Sequence, residues 1–203
     1  MKKQTKIQLL PFEIELLSDA GIILTKNAIM QKLKSFLEEI QLKQKAIIEK
    51  NISAFPAEVL KTSPKVSRGE NYKGLPWLVL DYPRHFEHGN IFAIRTMFWW
   101  GNFFSVSIHL TGRYKKIFES KIISNKPVFN KKNFYLCINQ HEWEHHFGNE
   151  NFKKISDLKG KEFEEIIRNK SFLKISKNIS LDKINEIEQI LCSYFEDIVK
   201  TIS

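Results

Sequence analysis

The densest run of chemistry-bearing residues is His141-Glu142-Trp143-Glu144-His145, with His146 directly after it. Two imidazoles four residues apart lie on one face of a helix. There both can reach a single zinc ion while the glutamate after the first histidine activates a water. On a strand the same spacing sets the rings roughly 13 Å apart, too far to share a metal. The chemistry therefore depends on the element that carries the motif.

The flanking residues argue against a helix. Phe134 to Asn139 reads as a strand and Gly148 closes the segment, which leaves about nine residues, under two and a half helical turns. Beyond Trp143 and Phe147 the run has no apolar stripe. In this one motif the chain resembles glutamate-type zinc peptidases. That resemblance implies a zinc-dependent hydrolase with His141 and His145 as ligands, Glu142 as base, and a third ligand from Glu164 or its neighbour Glu165. Glu144 departs from the pattern, which usually has an uncharged residue there. The plainer reading is a polar strand end or loop anchored by Trp143. His85 and His88 form a second, looser pair.

A different set of candidates comes from strand alternation. Ile91 to Trp100 and Phe103 to Thr111 read as a hairpin around Gly101-Asn102, a two-residue turn signal. That turn sets Trp100 opposite Phe103, so one face carries Arg95, Met97, Val106 and Ile108. The other carries Ile94, Thr96, Ser105, Ser107 and His109 among large rings. Arg95 and His109 are then expected on opposite faces. A guanidinium among apolar residues needs a partner, and Asp81 at the end of the preceding strand is the expected one. Apolar walls with a few polar groups suit a small ligand, so Asp81, Tyr82, Arg95, Thr96, Ser107 and His109 are the candidate binding residues. If exposed, Trp100 and Phe103 with the lysines would instead suit a single nucleic-acid strand.

The elements that must position these groups follow from periodicity. An amphipathic helix is predicted over 25–50 with Thr25 as N-cap, and a short helical turn from Pro56 to Lys61. Residues 63–74 read as a polar, basic loop. Trp77 to Tyr82 reads as a strand ended by Pro83, with 81–89 a structured loop. A helix follows Gly112, and another short one surrounds Phe163, Ile166 and Ile167. Phe172 to Lys177 makes a fifth strand. A final helix runs from Ser180, its stripe formed by Leu191, Phe195, Ile198 and Ile202. The expected fold is α+β: a mainly antiparallel sheet of about five strands centred on an aromatic hairpin, flanked by N- and C-terminal amphipathic helices. With no long linker or repeat, residues 1–203 are expected to form a single domain.

Composition narrows the function classes. The chain has 203 residues, 42% hydrophobic and 27% charged, with sixteen Phe, so it can build a core from large rings. Its formal charge is +9, but the bases are 27 Lys against five Arg and are scattered. Nucleic-acid recognition favours the bidentate guanidinium, so that partner is the less favoured one. Cys137 and Cys192 fit no metal spacing and read as inert thiols in a reducing compartment. Pro11, Glu13, Glu15 and Asp19 interrupt any secretory apolar run, and no stretch is long enough to span a bilayer, so a soluble cytoplasmic protein is expected. Phosphate loops, dinucleotide fingerprints and nucleophile elbows are missing, and no cofactor is expected. A binding or interaction module for a small ligand or a protein partner is the leading expectation. The zinc hydrolase and the single-strand binder are the alternatives.

Overall fold

The computed structural model describes residues 6–203. One sheet of seven strands, antiparallel at every pairing, carries the fold. In chain order the strands are β1 (Lys65–Tyr72), β2 (Leu75–Glu87), β3 (Asn90–Trp99), β4 (Phe103–Thr111), β5 (Tyr135–Cys137), β6 (Phe152–Lys154) and β7 (Phe172–Ser180). They lie side by side as β1-β2-β3-β4-β7-β5-β6. The helices are α1 (Pro11–Ser18), α2 (Ala20–Glu49), α3 (Ala57–Lys61), α4 (Gly112–Ser124), α5 (Lys126–Lys131), α6 (Glu162–Asn169) and α7 (Ile187–Ile202).

This is the expected α+β class with two strands more than the expected five. The segment read as a loop, 63–74, contains β1. Its polar composition (Lys65, Ser67, Arg68, Glu70, Asn71) is that of a sheet edge, where charge discourages pairing with another chain. Nor does β2 stop at Pro83. It runs on to Glu87 because Tyr82 and Pro83 together face the single residue Ile94, a bulge that spares proline a ladder bond. The long helix starts at Ala20 with Asp19 instead of Thr25 as its N-cap, since the Asp19 carboxylate accepts from Gly21 N at 2.8 Å and caps it six residues earlier.

The hairpin differs from expectation by one residue. Asn102 N donates to Trp99 O at 3.1 Å, closing a turn in which Gly101 takes φ +69°. Only one residue of the turn needs positive φ, and glycine supplies it at the third position. Trp99 therefore pairs with Phe103, across a three-residue loop, and every later pair shifts with it. Arg95 pairs with Ser107 and Ala93 with His109. Arg95, Ser107 and His109 thus share a face, and Thr96 lies on the other.

The face that carries Thr96 packs under the helices. Phe92, Ile94, Phe98, Phe104, Val106 and Ile108 are buried there with Leu37 and Ile40 of α2 and Leu191 and Phe195 of α7. Each such side chain adds about 1.5–3 kcal/mol on leaving water. Gln44 Nε2 donates to Thr96 Oγ1 at 2.9 Å inside this layer. Among the described residues, the opposite face packs against no helix. It is covered by the segment between β5 and β6, where the HEWEH run lies.

Candidate functional site

On the helix-free face, neighbouring strands set side chains in rows. Asp81, Arg95, Ser107 and Ser176 form one row across β2, β3, β4 and β7, and Ala93, His109 and Lys174 form the next. Every second residue of each strand joins this face, so β7 contributes Lys174, 2% exposed, between the inward positions Leu173 and Ile175.

The 138–151 segment is neither helix nor continued strand. It closes over these rows as a loop, with a turn at Glu142–Trp143. Backbone bonds from Ile138 N and Asn139 N to Asn151 O hold its two ends together. Tyr72, at the end of β1, organises the middle: its hydroxyl accepts from His145 N at 2.7 Å and His146 N at 3.1 Å, and donates to Glu144 Oε2 at 3.0 Å. Desolvation raises the Tyr72 phenol to about 12, so it keeps that proton. Phe147 stacks on Phe152 and lies edge-on to Phe103, fixing the loop in the sheet's second aromatic cluster.

Arg95 meets Asp81 through two bonds, Nε to Oδ1 at 2.7 Å and Nη2 to Oδ2 at 2.9 Å, as the sequence led one to expect. Its Nη1 lies 3.2 Å from His145 Nε2, and on the far side of that ring Lys174 Nζ lies 3.1 Å from Nδ1. Lys174 also donates to Glu142 O at 2.9 Å and Glu144 O at 2.6 Å.

These contacts fit one arrangement of the protons. A guanidinium only donates, so His145 Nε2 must accept, and the ring proton then sits on Nδ1. The amine facing Nδ1–H must accept in turn, which only a neutral lysine can do. Neutral Lys174 has two N–H groups for the two carbonyls and one lone pair for the imidazole, which matches its three partners. Burial pushes Lys174 down to about 7 and holds His145 well below the usual imidazole range, an effect to which the charge of Lys174, when it is protonated, and that of Arg95 add. His109, buried and likewise shifted down by desolvation, is bonded through Nε2 to Glu142 Oε2 at 3.0 Å. That bond lowers the Glu142 carboxyl.

Beside this network lies a cavity of about 460 Å³. Tyr72, Trp77 and Trp143 give it aromatic sides, Val79 and Met97 add apolar surface, and the Arg95–Asp81 pair and His145 form its polar end. Trp143, 47% exposed, stands over Arg95 with its ring 5.6 Å from the guanidinium carbon and stacks on Phe86. Trp77 covers the backbone of Gly69 across the strand pair, where any β-carbon would overlap the indole.

No known family model, curated protein or solved structure matches the chain. The geometry is therefore the basis for a functional reading.

Of the candidate residues from the sequence, Asp81, Arg95, Ser107 and His109 share the helix-free face, and Asp81 and Arg95 line the cavity. Thr96 is bonded to Gln44 under the helices, and Tyr82 packs against the core on that side. The expected separation of Arg95 from His109 is overturned by the one-residue shift at the turn. Among the possible zinc ligands, His141 is exposed, His145 is enclosed between Arg95 and Lys174, and Glu164 bonds Arg168 on α6 at 2.8 Å. Among the described residues, no group of three or more His, Cys, Asp or Glu is arranged to hold a metal. Phe103 is buried beneath Phe147, and Trp100 packs toward the helices, so the two do not form an open stacking surface.

Tyr72, Trp77, Trp143 and Lys174 were not among the sequence candidates. For Lys174 a signal existed: in a strand from Phe172 to Lys177, alternation sets Lys174 on the side opposite Leu173 and Ile175, a charge surrounded by apolar neighbours. Tyr72 lay hidden in a segment too polar to read as a strand.

Proposed function

We propose that the protein binds a small, flat, uncharged heterocycle in the cavity between β1, β2, β3 and the 138–151 loop. The observation that carries this reading is the pairing of aromatic sides (Tyr72, Trp77, Trp143) with a polar end that is charged but neutral overall, Arg95 bonded to Asp81. Rings of a ligand gain most between rings of the protein, and a cavity of this size lies within the range of small-molecule sites. An ion pair offers a donor edge and an acceptor edge side by side. A neutral ligand with adjacent acceptor and donor complements both, whereas an anion would meet the Asp81 carboxylate and a cation the guanidinium. Asn71 and Ser67 add hydrogen-bonding groups at the cavity wall.

Tryptophan fluorescence titrations with adenosine, cytidine, indole and benzoate test the reading. Saturable quenching by a neutral heterocycle is expected, with benzoate inert and with the response abolished in Trp143→Ala. If none of the neutral probes quenches saturably, or if benzoate binds best, the reading fails.

A further inference from the structure

Residues 7–29 leave uncovered most of the apolar surface that the fold does not bury. Of the seventeen large hydrophobic side chains exposed among the described residues, eleven lie in this stretch, including Ile7 at 84%, Leu17 at 75% and Leu24 at 67%. α1 buries none of its residues, and the first buried residue of α2 is Met30. The first turns of α2 therefore carry α1 past the edge of the body. α1 spreads Phe12, Ile14, Leu16 and Leu17 around its circumference, broken only by Glu13, Glu15 and Ser18, and such an apolar helix is expected to be covered. Its open apolar area, with that of the adjoining turns, is on the order of 600 Å², above the size at which patches mark an interaction site.

The charges identify what covers it. Between residues 7 and 19 the chain has Glu13, Glu15 and Asp19 and no base; between 20 and 37 it has Lys26, Lys32 and Lys34 and no acid. An acidic apolar segment is thus followed directly by a basic one. Beside the basic segment lies an apolar groove of about 560 Å³, bounded by Ile22, Ile23 and Ile29 of α2 and by Leu75, Pro76 and Trp100 from the corner of the sheet. α1 leaves from the end of its own groove, since Asp19 is part of the groove wall. An acidic apolar helix and a lysine-bearing segment beside an apolar groove, carried by one chain, are the two halves of a self-complementary contact: Lys26 bonds Glu70 and Lys34 bonds Glu38, which leaves Lys32 without an ion-pair partner among the described residues. Two copies related by a two-fold axis satisfy both at once. The expected area also suits a dimer, because an ordinary stable interface takes about 800 Å² from each partner. A lipid surface fits less well, since membrane-binding helices put Lys and Arg, not three acids, on their polar face.

We propose that residues 7–29 are a dimerisation surface, with α1 of one copy lying along the first turns of α2 of a second copy and the reciprocal contact closing the pair.

Sedimentation velocity on the full chain tests this, using paired charge variants. The unaltered protein is expected to sediment as a dimer. Leu17→Asp with Leu24→Asp, both at exposed positions, is expected to give a monomer with an unchanged circular dichroism spectrum. Glu15→Lys and Lys32→Glu are each expected to weaken dimerisation about tenfold alone, and an equimolar mixture of the two to recover it, because the opposed charges then match at both contacts. A chain that stays monomeric at high micromolar concentration overturns the proposal, as does a dimer unaffected by the two aspartates. Monomeric protein that instead adsorbs to phosphatidylcholine vesicles would assign the surface to lipid and equally overturn it.

Discussion

Lys174 Nζ and His145 Nδ1 stand 3.1 Å apart, and we assign the shared proton to the imidazole. The direction of this bond follows from the guanidinium on the other side of the ring, which can only donate. A lysine buried in a sheet and a loop folded over it thus hold one another in place, with the lysine neutral above about pH 7.

The first consequence is a pH dependence of stability. Lys174 is lowered from 10.5 to about 7, so between those values the unfolded chain carries a proton that the folded one lacks. Stability then rises with pH through this window, by up to about 1.4 kcal/mol per unit for the one proton. Urea unfolding from pH 7 to 8.5 should show that slope, and Lys174→Met should lose it whatever its own stability. Burial raises the Cys137 thiol, which acts in the opposite direction above that range, so the comparison is best kept below pH 9. An equal slope in both proteins would mean that Lys174 is charged in the fold.

Arg95 and Asp81 are each about one-tenth exposed, with two mutual hydrogen bonds. Removing one partner strands the other. Arg95→Met or Asp81→Leu alone should cost about 3 kcal/mol, and the double variant clearly less than the two losses combined. Additive losses in a double-mutant cycle would show that the pair is not coupled.

The two histidines of the HEWEH run should behave differently. His141 is exposed, and His141→Ala should leave the thermal midpoint unchanged within error. His145→Ala removes the link between Arg95 and Lys174 and should lower stability by about 2 kcal/mol or more. Because Arg95 and Lys174 occupy both ring nitrogens of His145, purified protein should carry no stoichiometric zinc by elemental analysis. One zinc per chain, lost in both alanine variants, would revive the hydrolase reading.

Gly69 serves as the seat of Trp77. Gly69→Ala forces the indole off the cavity wall, with an expected cost of about 1–3 kcal/mol and a red-shifted tryptophan emission. Ligand-induced quenching should fall with it. An unshifted spectrum with full stability would show that Trp77 does not depend on the bare backbone beneath it.

Much of the architecture can be read from local pattern. The stripe Leu191, Phe195, Ile198 and Ile202 marks α7, and all four are fully buried; the runs either side of Gly101 are the two central strands; Arg95 finds Asp81. These depend on periodicity and on the cost of an unpaired charge, both of which act over a few residues. β1 escaped the same reading because an edge strand facing water has no apolar alternation to display, and β2 because a bulge, not a stop, absorbs Pro83.

What only the tertiary structure decided is which side chains meet. One residue in the turn at Gly101 moved Arg95, Ser107 and His109 to a common face and Thr96 beneath the helices, since side chains alternate at every step along a strand. Tyr72, His145 and Lys174 are separated by 73 and 29 positions in the chain, yet lie in a single network. Composition and spacing specified the strands, the helices and the kinds of groups available; strand register and the path of the 138–151 loop are set by packing between distant segments, and no local pattern encodes their outcome.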